Sequence, residues 1–386
     1  MTEAAGDDVG HTRPPLVHTS AILDLFDGSQ RLPASLQSPV TLVVTRTGGP
    51  MPISAVAPPA SDYRLLADQV KAAHLLDRRP GLYVTRMALT VAALAAAWTS
   101  LLVVGDTWAA MGVAPILGFA FTQVAFLGHD AGHNQIFRSH RANRLVGLVF
   151  ANLLTGLSFG WWVPKHNAHH AHPNVVGRDP DIGTGAVALT FTTEIASSRR
   201  GAGRFLARNQ AWLFFPLLLL EGAGLHISGV DDVIRRRSRS GASEAALLAV
   251  HGALYVAALL WVLSPLRAFV FVVFHQGLFG LYLGCSFAPN HKGMPVLRDE
   301  SDLDFVRRQV LTSRNVTGGW FVAFLFGGLN YQIEHHLFPA MPRANLSRAR
   351  KIVRVFCTER GIAYEENSMV GSYRQALHYL KLAGAG

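Results

Sequence analysis

The stretch Met87–His133, MALTVAALAAAWTSLLVVGDTWAAMGVAPILGFAFTQVAFLGHDAGH, contains the pattern that decides the fold. Two apolar runs, Met87–Gly105 and Trp108–Gly128, each match the ~20 residues that a helix needs to cross a bilayer. Only Asp106 and Thr107 separate the runs, so we expect a tight helical hairpin. The polar sequence HDAGH follows the second run directly. The stretch therefore predicts a membrane hairpin with histidines at one of its ends.

A second hairpin is expected later in the chain. The segments Ala245–Leu263 and Ala268–Phe287 are again long and apolar, and the short turn Ser264–Arg267 joins them. Half of all residues are hydrophobic and 16% are charged, below the roughly 25% typical of soluble domains. We predict an all-α integral membrane protein with four transmembrane helices.

Two further apolar segments are expected to lie at the membrane surface or to re-enter it. Leu145–Val163 lies between two histidine-rich segments. These can form one site only if both lie on the same side of the membrane, so Leu145–Val163 should not cross it a single time. Ala211–Leu225 is short, and arginines precede and follow it, including the run Arg235–Arg239. We therefore predict interfacial or re-entrant helices here.

The distribution of charge predicts the orientation. The formal net charge is +10, and the two outer turns together carry one basic residue. Because basic residues favour the cytoplasmic side, we expect both termini and the histidines to face the cytoplasm at the cell membrane. Basic residues beside apolar runs indicate contact with anionic lipid rather than with nucleic acid, so no nucleic-acid partner is expected.

The N-terminal region differs from the rest of the chain. Residues 1–60 are polar and rich in Gly, Pro, Ser and Thr, which predicts a flexible tail without a signal peptide. Residues 61–386 are expected to form one membrane domain. Within it, Ser61–Leu76 has helical apolar spacing and predicts an amphipathic helix on the membrane surface.

Three short clusters combine histidine with helical spacing. They are HDAGH at 129–133, HNAHH at 166–170 and QIEHH at 332–336. Positions i, i+3 and i+4 share one face of a helix, so each cluster should direct its ligands one way. Imidazole suits zinc, copper, iron and nickel, and eight candidates fit two ions better than one. The candidate ligands are His129, His133, His166, His169, His170, Gln332, His335 and His336.

Other residues are expected near this site. The fourth apolar run ends at Asn290 and His291 on the same side as the clusters, which makes both additional candidate ligands. His172 is either a hydrogen-bond partner of the candidate ligands or a loop residue. His275 lies inside a span, where it would line a substrate tunnel or pack between helices. Four acidic residues are candidates for orienting ring N–H groups: Asp130, Glu334, Asp179 and Asp181.

The segments HDAGH, HNAHHAHPN and NYQIEHHLFP together resemble the three histidine boxes of the membrane fatty-acid desaturase family, and the resemblance runs from about residue 80 to 343. The glutamine that begins the third box is similar to that of front-end acyl desaturases, which act between an existing double bond and the carboxyl end. The segments GLYLGCSFAPNHKGMP, from Gly280, and DPD, from Asp179, resemble the same subgroup.

The resemblance implies a cytoplasmic helical cap that holds two iron ions (Fe2+/Fe3+) below an acyl tunnel. By motif match, the seven box histidines become iron ligands and Gln332 takes the place of a histidine. The implied reaction uses O2 as a co-substrate to insert a cis double bond into an acyl-CoA or acyl-lipid. The chain contains no HPGG haem motif, so an external electron donor of ferredoxin or cytochrome type, with its reductase, is expected.

Two alternatives remain open at this point. A di-iron lipid hydroxylase would use the same scaffold, and ligand spacing does not distinguish it from a desaturase. A membrane metal transporter is the alternative from another class. Transporters place ligands near the middle of the bilayer, whereas these clusters lie at the ends of spans.

Overall fold

The computed structural model describes residues 61–182, 189–235, 239–298 and 303–385. The predicted tail, 1–60, and part of the Arg235–Arg239 run lie outside the described residues. In the described part, the chain is mainly helical. The helices are α1 (Asp62–Ala72), α2 (Pro80–Val104), α3 (Ala114–Gly132), α4 (His140–Gly147), α5 (Phe159–Ala171), α6 (Thr193–Ser198), α7 (Gly201–Leu218), α8 (Glu221–Arg235), α9 (Arg239–Val262), α10 (Pro265–His291), α11 (Phe305–Leu311), α12 (Gly319–Leu325), α13 (Gln332–Leu337), α14 (Arg343–Glu359) and α15 (Met369–Gly384).

Four helical segments of the described chain are long and apolar enough to cross a membrane. They are Pro80–Val104, Trp108–Gly132, Gly241–Val262 and Pro265–His291, and they confirm the four predicted spans. The second begins with a 3-10 turn before α3. The fourth continues beyond the predicted run, so that its last turn contains the candidate ligands at its polar end.

The two hairpins pack through α3 and α10. Gly118 of α3 allows this close approach, because a Cβ there would lie 3.2 Å from the backbone nitrogen of Phe279. Phe121 packs edge-on against Phe279 beside the same contact. At the outer turns, Asp106 accepts hydrogen bonds from Ser264 and lies 2.7 Å from Arg267, which joins the hairpins a second time.

Large apolar side chains on the outside of the spans are exposed, as a surface that faces lipid requires. Trp261 of α9 is 87% exposed and Val103 of α2 is 81% exposed. The same helices bury few residues inside the protein, since the window in α9 is only 6% buried. The lipid replaces the protein core along these helices.

The segments between the hairpins do not form single straight spans. After α4, a π-helical turn, Leu148–Leu153, leads to Gly156, whose φ of 74° reverses the chain before α5. Helices α7 and α8 meet at 79°, and only the two together are long and apolar enough to cross a membrane. Both findings agree with the expected interfacial or re-entrant character of Leu145–Val163 and Ala211–Leu225.

Helices α1, α11, α13 and α14 form a cap with its own core, and here one expectation was wrong. We expected Ser61–Leu76 to lie on the membrane surface. Instead, Leu66 and Val70 of α1 are fully buried in one cluster with Ile333 of α13 and Phe356 of α14. The apolar stripe of α1 is narrow, and the cap helices cover it. A parallel strand pair, Asn315–Thr317 with Glu366–Ser368, links the cap to α15.

Candidate metal centre

The histidines converge from the last turns of α3, α5 and α10 and from α13. Their ligand atoms form two groups, and within each group the atoms lie within 4.8 Å of one another. The four-histidine cluster consists of His129, His133, His166 and His335. The three-histidine cluster consists of His169, His291 and His336. The fold therefore brings together segments that are more than 200 residues apart in the sequence.

His170 lies between the two clusters. Its ring stacks on that of His336, with centroids 4.1 Å apart, and lies 4.6 Å from the ring of His133. Its Nε2 atom lies 3.1 Å from Nε2 of His166. All seven box histidines and His291 thus belong to one continuous site.

The arrangement fits metal ions. The Nε2 atoms of four histidines are buried and have no hydrogen-bond partner: His129, His133, His335 and His336. The Nε2 atoms of His169 and His291 face each other at 3.3 Å. Two nitrogens bound at about 2 Å to one ion are roughly 3 to 3.5 Å apart, which is the observed spacing. A shared cation in each cluster would account for both the close pair of nitrogens and the orphaned ones, which lie within 4.8 Å of the other ligand atoms of their cluster.

The protonation states favour the same conclusion. Burial lowers the pKa of His166, His170 and His335 well below the usual range, and the neighbouring imidazoles lower it further. These rings are neutral near pH 7. Neutral imidazole is the form that binds metal, because its free nitrogen carries a lone pair rather than a proton.

Each ring of the three-histidine cluster is held from its far side. Nδ1 of His169 lies 3.0 Å from both carboxylate oxygens of Asp179. Nδ1 of His291 lies 3.0 Å from the carbonyl oxygen of Thr312, and Nδ1 of His336 lies 2.9 Å from Oε1 of Gln309. Such contacts fix the ring orientation and leave Nε2 for the metal. No pattern in the sequence pointed to Gln309 or Thr312.

The DPD segment surrounds His169. Asp179 also accepts from the backbone N–H groups of Asn174 and Asp181, at 2.7 and 2.8 Å. Asp181 pairs with Lys165 and lies 3.6 Å from Nδ1 of His169. Burial opposes the charged ring of His169, but the charge and hydrogen bond of Asp179 raise its pKa above the usual value. Both aspartates thus lie where the sequence predicted a supporting role.

Gln332 lies at the edge of the three-histidine cluster. Its Nε2 is 2.9 Å from Nε2 of His291, and its Oε1 accepts from Nδ2 of Asn290 at 3.2 Å. Asn290 also donates to the carbonyl of Leu329 at 3.0 Å, while its own Oδ1 is buried without a partner. Gln332, His291 and Asn290 therefore form one polar group beside the cluster.

One of the other expectations, the role of Glu334 beside a ligand ring, needs correction. Glu334 contacts no histidine among the described residues; it accepts from Tyr364 and Asn315, and burial raises its pKa to about 7. Its side chain points away from the ligand face of α13, as position i+2 requires. Asp130 lies 3.7 Å from Nδ1 of His129 but forms its closest ion pair with Arg343.

For His275, which we expected either to line a substrate tunnel or to pack between helices, the structure shows packing between helices. It is fully buried, lies 2.8 Å from the hydroxyl of Tyr255 and packs against Phe121, away from the cavity described below. The apolar pattern of a span does not reveal which side faces a cavity. His172 is the C-cap residue of α5, after the ligands, and does not line that cavity.

A buried acid supports α5 from the third span, and the sequence analysis missed it. Glu244 of α9 accepts hydrogen bonds from Nδ2 of Asn152 at 3.1 Å, from the hydroxyl of Ser158 at 3.1 Å and from the backbone N–H of Gly160 at 2.5 Å. A carboxylate at a helix N-terminus is favourable, since it satisfies free N–H groups and complements the helix dipole. Glu244 thus fixes the start of the helix that carries His166.

Five candidate ligands line one side of a cavity of about 700 Å³: His129, His166, His169, His291 and Gln332. This size is typical of sites for small ligands, and most of the lining is apolar. The bent pair α7–α8, together with α3, α5 and α10, supplies the apolar wall. Among its residues are Phe126, Trp162, Leu217, Leu225, Leu283 and Phe287. The site therefore combines a metal-binding wall with a chamber suited to hydrocarbon.

Comparisons with known proteins agree with this geometry. The acyl-lipid (9-3)-desaturase of Physcomitrium patens is 31% identical over 312 residues, which cover 78% of this chain and 58% of that protein. The Delta(6)-fatty-acid desaturase fat-3 of Caenorhabditis elegans is 31% identical over 280 residues, 69% and 63% of the two chains. The Delta(8)-fatty-acid desaturase 2 of Arabidopsis thaliana is 28% identical over 329 residues, 80% and 71%.

The chain thus spans about three fifths of the length of the first two relatives. Residues 106–368 match the family model described as fatty acid desaturase, and this range includes all three histidine boxes and the wall of the cavity. It covers well over half of the chain. On this match, together with histidines grouped so that they could hold metal ions beside an apolar chamber, the chain belongs to the fatty acid desaturase family.

Proposed function

We propose that this chain is an O2-dependent acyl desaturase that inserts a cis double bond into a fatty acyl chain, using two iron ions and electrons from a separate donor. One observation carries the proposal: histidines of both clusters line a largely apolar cavity of about 700 Å³. The names of the relatives support the same reaction class.

The donor set would hold the two ions separately. The four-histidine cluster would bind one ion. The three-histidine cluster would bind the other, with Gln332 and Asn290 beside it, and His170 lies where it can serve either. Iron bound there would supply, with O2, two external electrons and two protons, the oxidising power that removes one hydrogen from each of two adjacent methylenes and yields two water molecules.

The chain's own residues place the substrate and keep the site dry. The ring of Trp162 stacks on His166 with centroids 4.3 Å apart and also lines the cavity, so a bound acyl chain would contact it directly. Phe287 and Leu283 of α10 line the cavity one and two turns before His291, respectively. A methylene held between these side chains lies beside the ligands with little room for water.

We further propose that the site faces the cytoplasm at the cell membrane, as the basic inner loops favour. The substrate would be an acyl-CoA or an acyl-lipid. The positive charge of that face suits an acidic donor of the ferredoxin or cytochrome type, supplied by a reductase, because opposite charges guide the two proteins together.

The test is to express the chain in a bacterial host with a ferredoxin and its reductase, to supply defined fatty acids and to analyse the lipids by mass spectrometry. His335→Ala is the inactive control. We expect a product two mass units lighter that the control lacks, and about two iron ions for each purified chain. A product sixteen mass units heavier would show that the activity is hydroxylation rather than desaturation. A purified chain without iron would overturn the di-iron site.

A further inference from the structure

Two lysines lie at the polar end of the cavity, each next to a candidate ligand in the sequence. Lys165 directly precedes His166 on α5, and Lys292 directly follows His291 at the end of α10. Both lysines and both histidines line the same cavity. Two ammonium groups therefore lie beside the reaction site, in a chamber whose remaining wall is mostly apolar.

The two lysines differ in what compensates their charge. Lys165 pairs with Asp181. Lys292 donates to the backbone carbonyl of Asp181 at 3.3 Å and lies 4.1 Å from the ring centroid of Phe191, and no carboxylate of the described residues lies within 4 Å of it. An ammonium group has three donors, and a buried charge is costly unless acceptors surround it. Lys292 thus retains donors for a ligand in the cavity.

The chemistry of these donors selects one part of an acyl substrate. A hydrocarbon chain has no acceptor, whereas the ester or thioester carbonyl at its end has one, and the carrier beyond it adds phosphate or further carbonyls. We propose that Lys165 and Lys292 bind the carbonyl end of the acyl substrate, so that the position of the new double bond is counted from that end. This inference rests on the proposed function.

The distances set how many carbons are counted. Asp181 pairs with Lys165 through Oδ1 and approaches Nδ1 of His169 through Oδ2 at 3.6 Å. A single carboxylate that bridges two groups keeps them within roughly 8 Å of each other. An extended chain advances about 1.3 Å for each carbon. A carbonyl bound at Lys165 therefore places roughly the first six carbons, and not the methyl end, between Lys165 and the ring of His169.

The experiment measures the position of the bond in substrates whose chains differ by two carbons. We expect the wild type to desaturate at one carbon counted from the carbonyl, whatever the chain length. Lys292→Met removes the donors but retains an unbranched chain. In this variant we expect the product to spread over neighbouring positions and the KM to rise at least about 10-fold, with the iron content of the purified protein unchanged.

Lys292→Arg keeps a cation and should retain the wild-type position. Lys381→Met replaces an exposed lysine of α15 and should change nothing. The inference is overturned if Lys292→Met, with its iron intact, keeps both the wild-type position and the KM. It is also overturned if the wild-type position moves with chain length so as to stay at a fixed distance from the methyl end.

A binding measurement separates this inference from the proposed reaction. Trp161 and Trp162 line the cavity, so acyl esters with bromine near the carbonyl or near the methyl end will quench their fluorescence to different extents. We expect Lys292→Met to weaken binding about 10-fold and to reduce the difference between the two esters. If the wild type binds in this way but produces no desaturated lipid, the proposed reaction is wrong, whereas binding of the carbonyl end at the lysines is supported. Equal binding by wild type and variant overturns the lysine site.

Discussion

The two histidine clusters are supported in different ways. In the three-histidine cluster, every Nδ1 atom faces an oxygen of another segment at 2.9 or 3.0 Å. Beside the four-histidine cluster, the carboxylate of Asp130 lies 3.7 Å from Nδ1 of His129 and pairs with Arg343. Three of its four rings, those on helices α3 and α5, instead contact the ring of Trp162.

The difference follows from where the ligands originate. His129 and His133 lie one helical turn apart on α3, so the backbone itself holds them on one side. The three-histidine cluster takes one ligand from each of α5, α10 and α13. No helix sets the geometry of three separate segments, and hydrogen bonds from outside provide it. Secondary structure thus fixes two of the four rings in the four-histidine cluster, whereas every ring of the three-histidine cluster depends on tertiary contacts.

The strongest test of this comparison removes one ligand from each cluster. We expect His166→Ala and His336→Ala each to abolish desaturation. Each variant should retain about one iron ion for each chain, because the clusters bind their ions separately. Iron analysis of the purified proteins, together with lipid profiling, provides the measurement. If either variant loses both ions, the clusters act as one unit and the comparison fails.

Removal of the support of α5 should affect both clusters, since this helix contributes to each. Glu244→Ala leaves the amide of Asn152, the hydroxyl of Ser158 and the N–H of Gly160 without their acceptor, which costs about 3 kcal/mol. We expect a lower Tm in detergent and less iron at both positions. Glu359→Ala, at an exposed site of α14, is the matched control. An unchanged Tm would contradict this role of Glu244.

The acids beside the two clusters provide a more selective test. Asp179→Asn should weaken iron binding roughly 10- to 100-fold at the three-histidine cluster, because its contact with His169 is direct. Asp130→Asn should leave iron affinity nearly unchanged, since its closest partner is Arg343. Titration of each variant with a chelator, followed by Mössbauer spectroscopy, distinguishes the two positions. Equal losses of affinity in both variants would remove the asymmetry.

The smallest effect is expected at Gln309, a neutral partner of His336. Gln309→Leu removes the acceptor at 2.9 Å and also the bond from its amide to the carbonyl of His170. We expect a loss of iron affinity of about 10-fold and a change in one of the two Mössbauer signals. Gln69→Leu, at an exposed site of α1 in the same cap, tests whether any amide would give this result. Identical spectra for the wild type and Gln309→Leu would exclude a role in orienting the ring.

The spans and the ligand faces could be predicted from the sequence because each depends on local periodicity. Helical spacing alone placed His129 with His133 and His166 with His170. Glu244 and Gln309 could not be predicted, since each joins segments that are distant in the chain. The predicted location of α1 was wrong, because an amphipathic stripe predicts that one face of a helix is buried but does not indicate whether lipid or protein covers it.

Helix α10 has a consequence for how the protein responds to the lipid around it. It is one continuous helix of 27 residues from the outer turn to His291, about 40 Å long. A helix of fixed length tilts when the bilayer becomes thinner, and its ends then move sideways. Since the last residue of this helix is a candidate ligand, bilayer thickness is mechanically coupled to the geometry of one metal position. On the proposed function, the protein would thereby respond to the physical state of the membrane in which it lies.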